Sequence, residues 1–81
     1  MASGTHKVVV WVKDKSKEFL ITARKPDARL ADVTRWARDQ GFRALPPLME
    51  NVSKATADAE RARVKAEYIG NKFKYRSFPQ M

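Results

Sequence analysis

Residues 7–24 read KVVVWVKDKSKEFLITAR, and this stretch decides the fold. Val8, Val9, Val10, Trp11 and Val12 are β-branched or aromatic and suit a pleated surface, as do Phe19, Leu20 and Ile21. Between the two runs lies a polar tetrad, Asp14-Lys15-Ser16-Lys17. A four-residue loop at that point predicts a β-hairpin in which Lys13 faces Glu18, Val12 faces Phe19, Trp11 faces Leu20, Val10 faces Ile21 and Val9 faces Thr22. Side chains alternate along a strand. One face of the hairpin therefore carries Val8, Val10, Val12, Phe19, Ile21 and Ala23, all apolar. The other carries Lys7, Val9, Trp11, Lys13, Glu18, Leu20, Thr22 and Arg24.

Outward from the hairpin the punctuation is clear. Residues 1–6 are small and polar and read as a flexible lead-in to the first strand. Lys25-Pro26-Asp27 ends the hairpin, because proline cannot continue a central strand and aspartate caps a helix. A helix over 28–40 is expected, with Leu30, Val33 and Ala37 on its apolar face and Trp36 at the rim of that face. Gly41 stands where a left-handed C-terminal cap belongs, and Phe42 follows as its hydrophobic contact. Residues 43–47 read as a linker. Proline at the first helical position then opens a second helix over 47–69, about 34 Å long at 1.5 Å per residue.

On this second helix Leu48, Val52, Ala55, Ala59, Ala62, Ala66 and Ile69 recur at spacings of four and three, a stripe suited to packing on the sheet or on the first helix. Ala57, Val64 and Tyr68 lie roughly opposite. A surface helix ordinarily has one apolar face, so this second one is read as an interface for self-association. Gly70-Asn71 stops the helix. Lys72-Phe73-Lys74-Tyr75-Arg76-Ser77-Phe78 alternates basic and aromatic residues and predicts a third strand, ended by Pro79.

The expected architecture is thus α+β: one 81-residue domain with an N-terminal hairpin, two helices and a C-terminal strand. The three strands form one sheet with both helices on one face. If Phe73 and Tyr75 join the apolar face, the outer face gathers Lys7, Lys13, Arg24, Lys72, Lys74 and Arg76 around Trp11, with Phe78 on the same side. In the opposite registration the helices cover Trp11 instead.

Seventeen basic and nine acidic residues give a formal charge of +8, which favours polyanionic or acidic partners. Cations that displace counterions from phosphate, beside a ring on which bases stack, make the outer face a candidate nucleic-acid surface built on Lys7, Trp11, Lys13, Arg24, Lys72, Lys74 and Arg76. The alternative is a small inhibitor or adaptor that docks on an acidic protein surface, with Ala57, Val64 and Tyr68 as the interface of a homodimer. No catalytic constellation is visible. Cysteine is absent, His6 is the sole histidine, and the three glycines form no phosphate loop, so neither enzyme activity nor a metal or cofactor is expected. No bilayer-spanning run or signal segment is evident, and a cytoplasmic, non-membrane protein is the expectation.

Overall fold

A computed structural model describes residues 4–78. The first half of the expected lead-in and the terminating Pro79 lie outside the described residues. The elements run β1 (His6–Lys13), β2 (Glu18–Arg24), α1 (Ala28–Asp39), β3 (Arg43–Ala44), β4 (Met49–Val52), α2 (Lys54–Gly70) and β5 (Lys74–Tyr75). The hairpin has the expected register throughout, from Lys7 opposite Arg24 to Lys13 opposite Glu18. Its turn is closed by the Lys17 N–H donating to the Asp14 carbonyl at 3.3 Å.

The sheet is mixed and has more strands than the three expected. β5 adds to β2 in parallel, with Lys74 beside Glu18 and Tyr75 beside Phe19. The segment read as a linker and helix start instead lies along the other edge of β1. β3 and β4 both pair with it antiparallel. Between them the Leu45 and Leu48 amides donate to the Val10 and Val8 carbonyls, each at 2.9 Å, and carry the ladder across Pro46-Pro47. Prolines without N–H groups are tolerated here because this is an edge strand. One extra residue in β4 between Met49 and Val52 makes a bulge, with Asn51 at φ 57°. The second helix consequently begins at Lys54 rather than at residue 47. Ser53 caps it, its hydroxyl accepting from the Thr56 amide at 3.1 Å.

Both helices end in the same way. In α1 the Gly41 N–H donates to the Arg38 carbonyl at 2.9 Å and the Phe42 N–H to the Ala37 carbonyl at 3.0 Å. In α2 the Lys72 N–H donates to the Ile69 carbonyl at 3.0 Å and the Phe73 N–H to the Tyr68 carbonyl at 3.1 Å. Both pairs have the Schellman pattern, with Gly41 at φ 91° and Lys72 at φ 72° in the left-handed position. Each cap turns the phenylalanine that follows it back toward the sheet.

The two phenylalanines enter different cores, because the helices lie on opposite faces of the sheet and not together on one. Val8, Val10, Val12, Phe19 and Ile21 are covered by Ala57 and Val64 of α2, with Tyr68, Phe73 and Tyr75 packed alongside. Trp11 and Leu20 are covered by Ala37 of α1 and by Phe42, with Trp36 and Phe78 alongside. The Trp11 side therefore has a roof of its own: Phe73 and Tyr75 join the Val8–Phe19 face, as in the first registration, but α1 covers the Trp11 face that this registration left outward. Burial of each large apolar side chain in these cores is worth ~1.5–3 kcal/mol. An exposed pair such as Arg35–Asp32 or Lys54–Asp58 contributes at most about 1 kcal/mol. The two cores, not the surface ion pairs, hold the fold.

α2 presents the side that was expected to face a partner. Ala57 and Val64 are buried, and Tyr68 stacks on Phe19 with ring centroids 5.0 Å apart. The alanine stripe, Ala55, Ala59, Ala62 and Ala66, faces solvent with Ile69. Side-chain size decides this: turning valine and tyrosine inward removes more apolar area from water than turning alanines inward.

Candidate nucleic-acid interface

The residues assigned from sequence to a cationic sheet face do not form one surface. Trp11, the intended stacking platform, is only 4% exposed beneath α1 and Phe42. Lys13 lies 3.8 Å from Glu18 and 4.8 Å from the centre of the Phe42 ring. Arg76 donates to Glu18 at 3.1 Å. Glu18 also accepts from the Ser16 hydroxyl at 2.7 Å. The Ser16 hydrogen bond, followed by Arg76 and Lys13, holds the Glu18 carboxyl below its usual range. These two cations thus serve one carboxylate at the loop end of the hairpin. Lys72 and Lys74 are exposed near the start of β5, and Lys7 is half-buried on the same strand as Trp11.

Arg24 belongs to a different grouping. At the open end of the hairpin, where β1 begins and β2 ends, a cleft of about 380 Å³ is lined by Arg24, Lys25, Arg29, Lys54 and Arg61, with His6 and Phe78. The N-termini of α1 and α2 both come to this end, because α1 follows β2 directly and α2 follows β4, which runs antiparallel to β1. The positive ends of two helix dipoles thereby reinforce the side-chain charge. The opposing carboxylates are Asp27 and Asp58. Asp27 is occupied as the cap of α1, accepting from the Leu30 amide at 2.9 Å, and Asp58 pairs with Lys54 at 3.1 Å. Among the described residues Arg24, Lys25, Arg29 and Arg61 form no ion pair. Arg61 is steadied by donating to the Tyr75 hydroxyl at 2.5 Å.

Sequence reading missed this cleft because its cations come from three separated segments, 24–29, 54 and 61. The one visible signal was the Arg24-Lys25 doublet followed by Arg29. Arg61, Arg63 and Lys65, a short basic run in the sequence of α2, are also divided by the fold. Arg63 is taken up by Glu60 at 2.8 Å and Glu67 at 3.1 Å, while Lys65 lies 4.2 Å from the centre of the Tyr75 ring.

Among the described residues no group of three His, Asp or Glu side chains is placed to hold a metal ion. None of the described helices is long and apolar enough to cross a membrane. The fold and the cleft together define a small, basic α+β domain with a helix on each face of a mixed sheet. Comparison with family models, curated proteins and solved structures returned no match for the chain.

Proposed function

We propose that the protein is a non-enzymatic nucleic-acid-binding module that holds the phosphate backbone in the cleft at the open end of the hairpin. The observation that carries this reading is the convergence there of two helix N-termini with five cations, of which Lys54 pairs with Asp58 and the other four form no ion pair among the described residues, while Asp27 is held as the cap of α1. Phosphate contacts of this kind release counterions and bind with little regard to sequence. Phe78, half-buried at the cleft, is the aromatic ring placed to touch a base; Trp11 is not. Relative to the surface expected from sequence, Arg24 remains, while Lys13 and Arg76 become structural partners of Glu18.

The test is fluorescence anisotropy with labelled duplex DNA, single-stranded DNA and RNA across a salt series. Replacing Arg24, Lys25, Arg29 and Arg61 with alanine weakens binding. It flattens the salt slope by about 0.9 per lost contact on duplex and about 0.7 on single strands. The Lys72→Ala/Lys74→Ala variant keeps most of the affinity. Equal binding by wild type and the fourfold variant removes the cleft as the site. Competition by poly-glutamate as strong as by nucleic acid turns the reading to an acidic protein partner.

A further inference from the structure

A second cleft, of about 200 Å³, lies between α1, the Trp11 face of the sheet and the β3–β4 connection. Its walls are partly apolar, from Val9, Leu30 and Leu45. Trp11 lines it, and the indole Nε1–H is buried with no hydrogen-bond acceptor among the described residues. A buried donor left without an acceptor costs about 1–3 kcal/mol. A buried donor of this kind calls for an explanation, and an acceptor from outside the chain is one. The Thr22 hydroxyl donates to the Val9 carbonyl at 3.4 Å and forms no hydrogen bond with the indole. Lys7 and Arg38 also line the cleft, and neither forms an ion pair among the described residues. No carboxylate lines it.

We infer that this cleft binds a small amphipathic carboxylate, its apolar body against Leu30 and Leu45 and its anionic group accepting from the Trp11 indole between Lys7 and Arg38. The donor set contains one buried N–H and two cations and no acid, so an anionic acceptor satisfies all three. The volume is below the ~300 Å³ at which drug-sized sites begin, which restricts the ligand to a few functional groups around one small ring or short chain. The site is separate from the polyanion cleft and stands or falls independently of nucleic-acid binding.

Benzoate is the probe, with neutral benzamide and inorganic phosphate as comparisons. In ¹H–¹⁵N spectra the two tryptophans give two indole signals, and Trp36 does not line the cleft. Benzoate shifts the Trp11 indole signal saturably and leaves that of Trp36 in place. Arg38→Gln and Lys7→Gln each weaken binding, and Trp11→Phe weakens it roughly tenfold through loss of a charge-assisted hydrogen bond. If Trp11→Phe does not fold, the two glutamine variants still decide. A Trp11 signal that does not move, or moves equally with benzamide, overturns the anion site. Equal response to inorganic phosphate overturns the apolar half of the assignment.

Discussion

Lys72 is the residue whose conformation runs most directly against its chemistry. It occupies the left-handed position of the α2 cap, where α1 uses Gly41. A side chain there costs about 1–2 kcal/mol, partly offset by the unfolded-state entropy that glycine would add. Lys72→Gly therefore stabilises by up to about 1 kcal/mol, read as a rise of several degrees in Tm, whereas Lys72→Ala gives no such rise. A lower Tm for the glycine variant would contradict the cap. Glu18 supplies a second test. Its folded-state pKa lies below the ordinary 4.5, chiefly through Ser16. Its contribution to stability is thus present above that value and lost as pH falls below it toward the folded pKa. Glu18→Gln lowers stability near neutral pH and makes the acid limb of the stability profile shallower. An acid limb of unchanged slope in denaturant titrations at several pH values would leave Glu18 without this role.

At the scale of the element, α2 shows how a pattern of spacing can mislead. Its alanine stripe is long and regular, yet the buried side is the sparser one, Ala57, Val64 and Tyr68. Val64→Ala removes two methyl groups from the core and costs about 2 kcal/mol once the residual cavity is included. Ala57→Asp places a charge in a fully buried position and unfolds the protein or nearly so. Ala62→Asp, on the exposed face, lowers stability by no more than about 1 kcal/mol, the difference in helix propensity. Thermal melts of the three variants decide the orientation of the helix, and a sensitive Ala62 with a tolerant Ala57 would reverse it. The two Schellman caps make the complementary point, since each delivers a phenylalanine, Phe42 or Phe73, into a core on its own side of the sheet.

At the scale of the whole molecule, β1 and β2 are shared by two cores, so neither core can be lost alone. Trp11 reports on the α1 side and lies on the strand whose neighbouring residues, Val10 and Val12, pack under α2. Val64→Ala on the far face therefore lowers the urea midpoint seen by tryptophan fluorescence as much as that seen by far-ultraviolet circular dichroism. Separated midpoints would mean that the two faces unfold independently. The same layering places the surface proposed to bind a polyanion. With both faces of the sheet roofed, the cations that converge in one cleft are those at the open end of the hairpin, where both helices begin.

The hairpin, its register and both helix stops were determined by the sequence alone. Each rests on local alternation, turn length or a cap, and local signals survive folding intact. The β3–β4 strand was hidden because Pro46-Pro47 reads as a break. Only an adjacent β1 edge, with Val8 and Val10 carbonyls to fill, makes that segment a strand. The burial of Trp11 and the inward turn of Val64 were likewise settled in three dimensions, by which side chains removed most apolar area from water. So was the cationic cleft, because Arg24, Lys25 and Arg29 meet Lys54 and Arg61 through the packing of two helices on opposite faces of one sheet, a proximity that no spacing along the chain encodes.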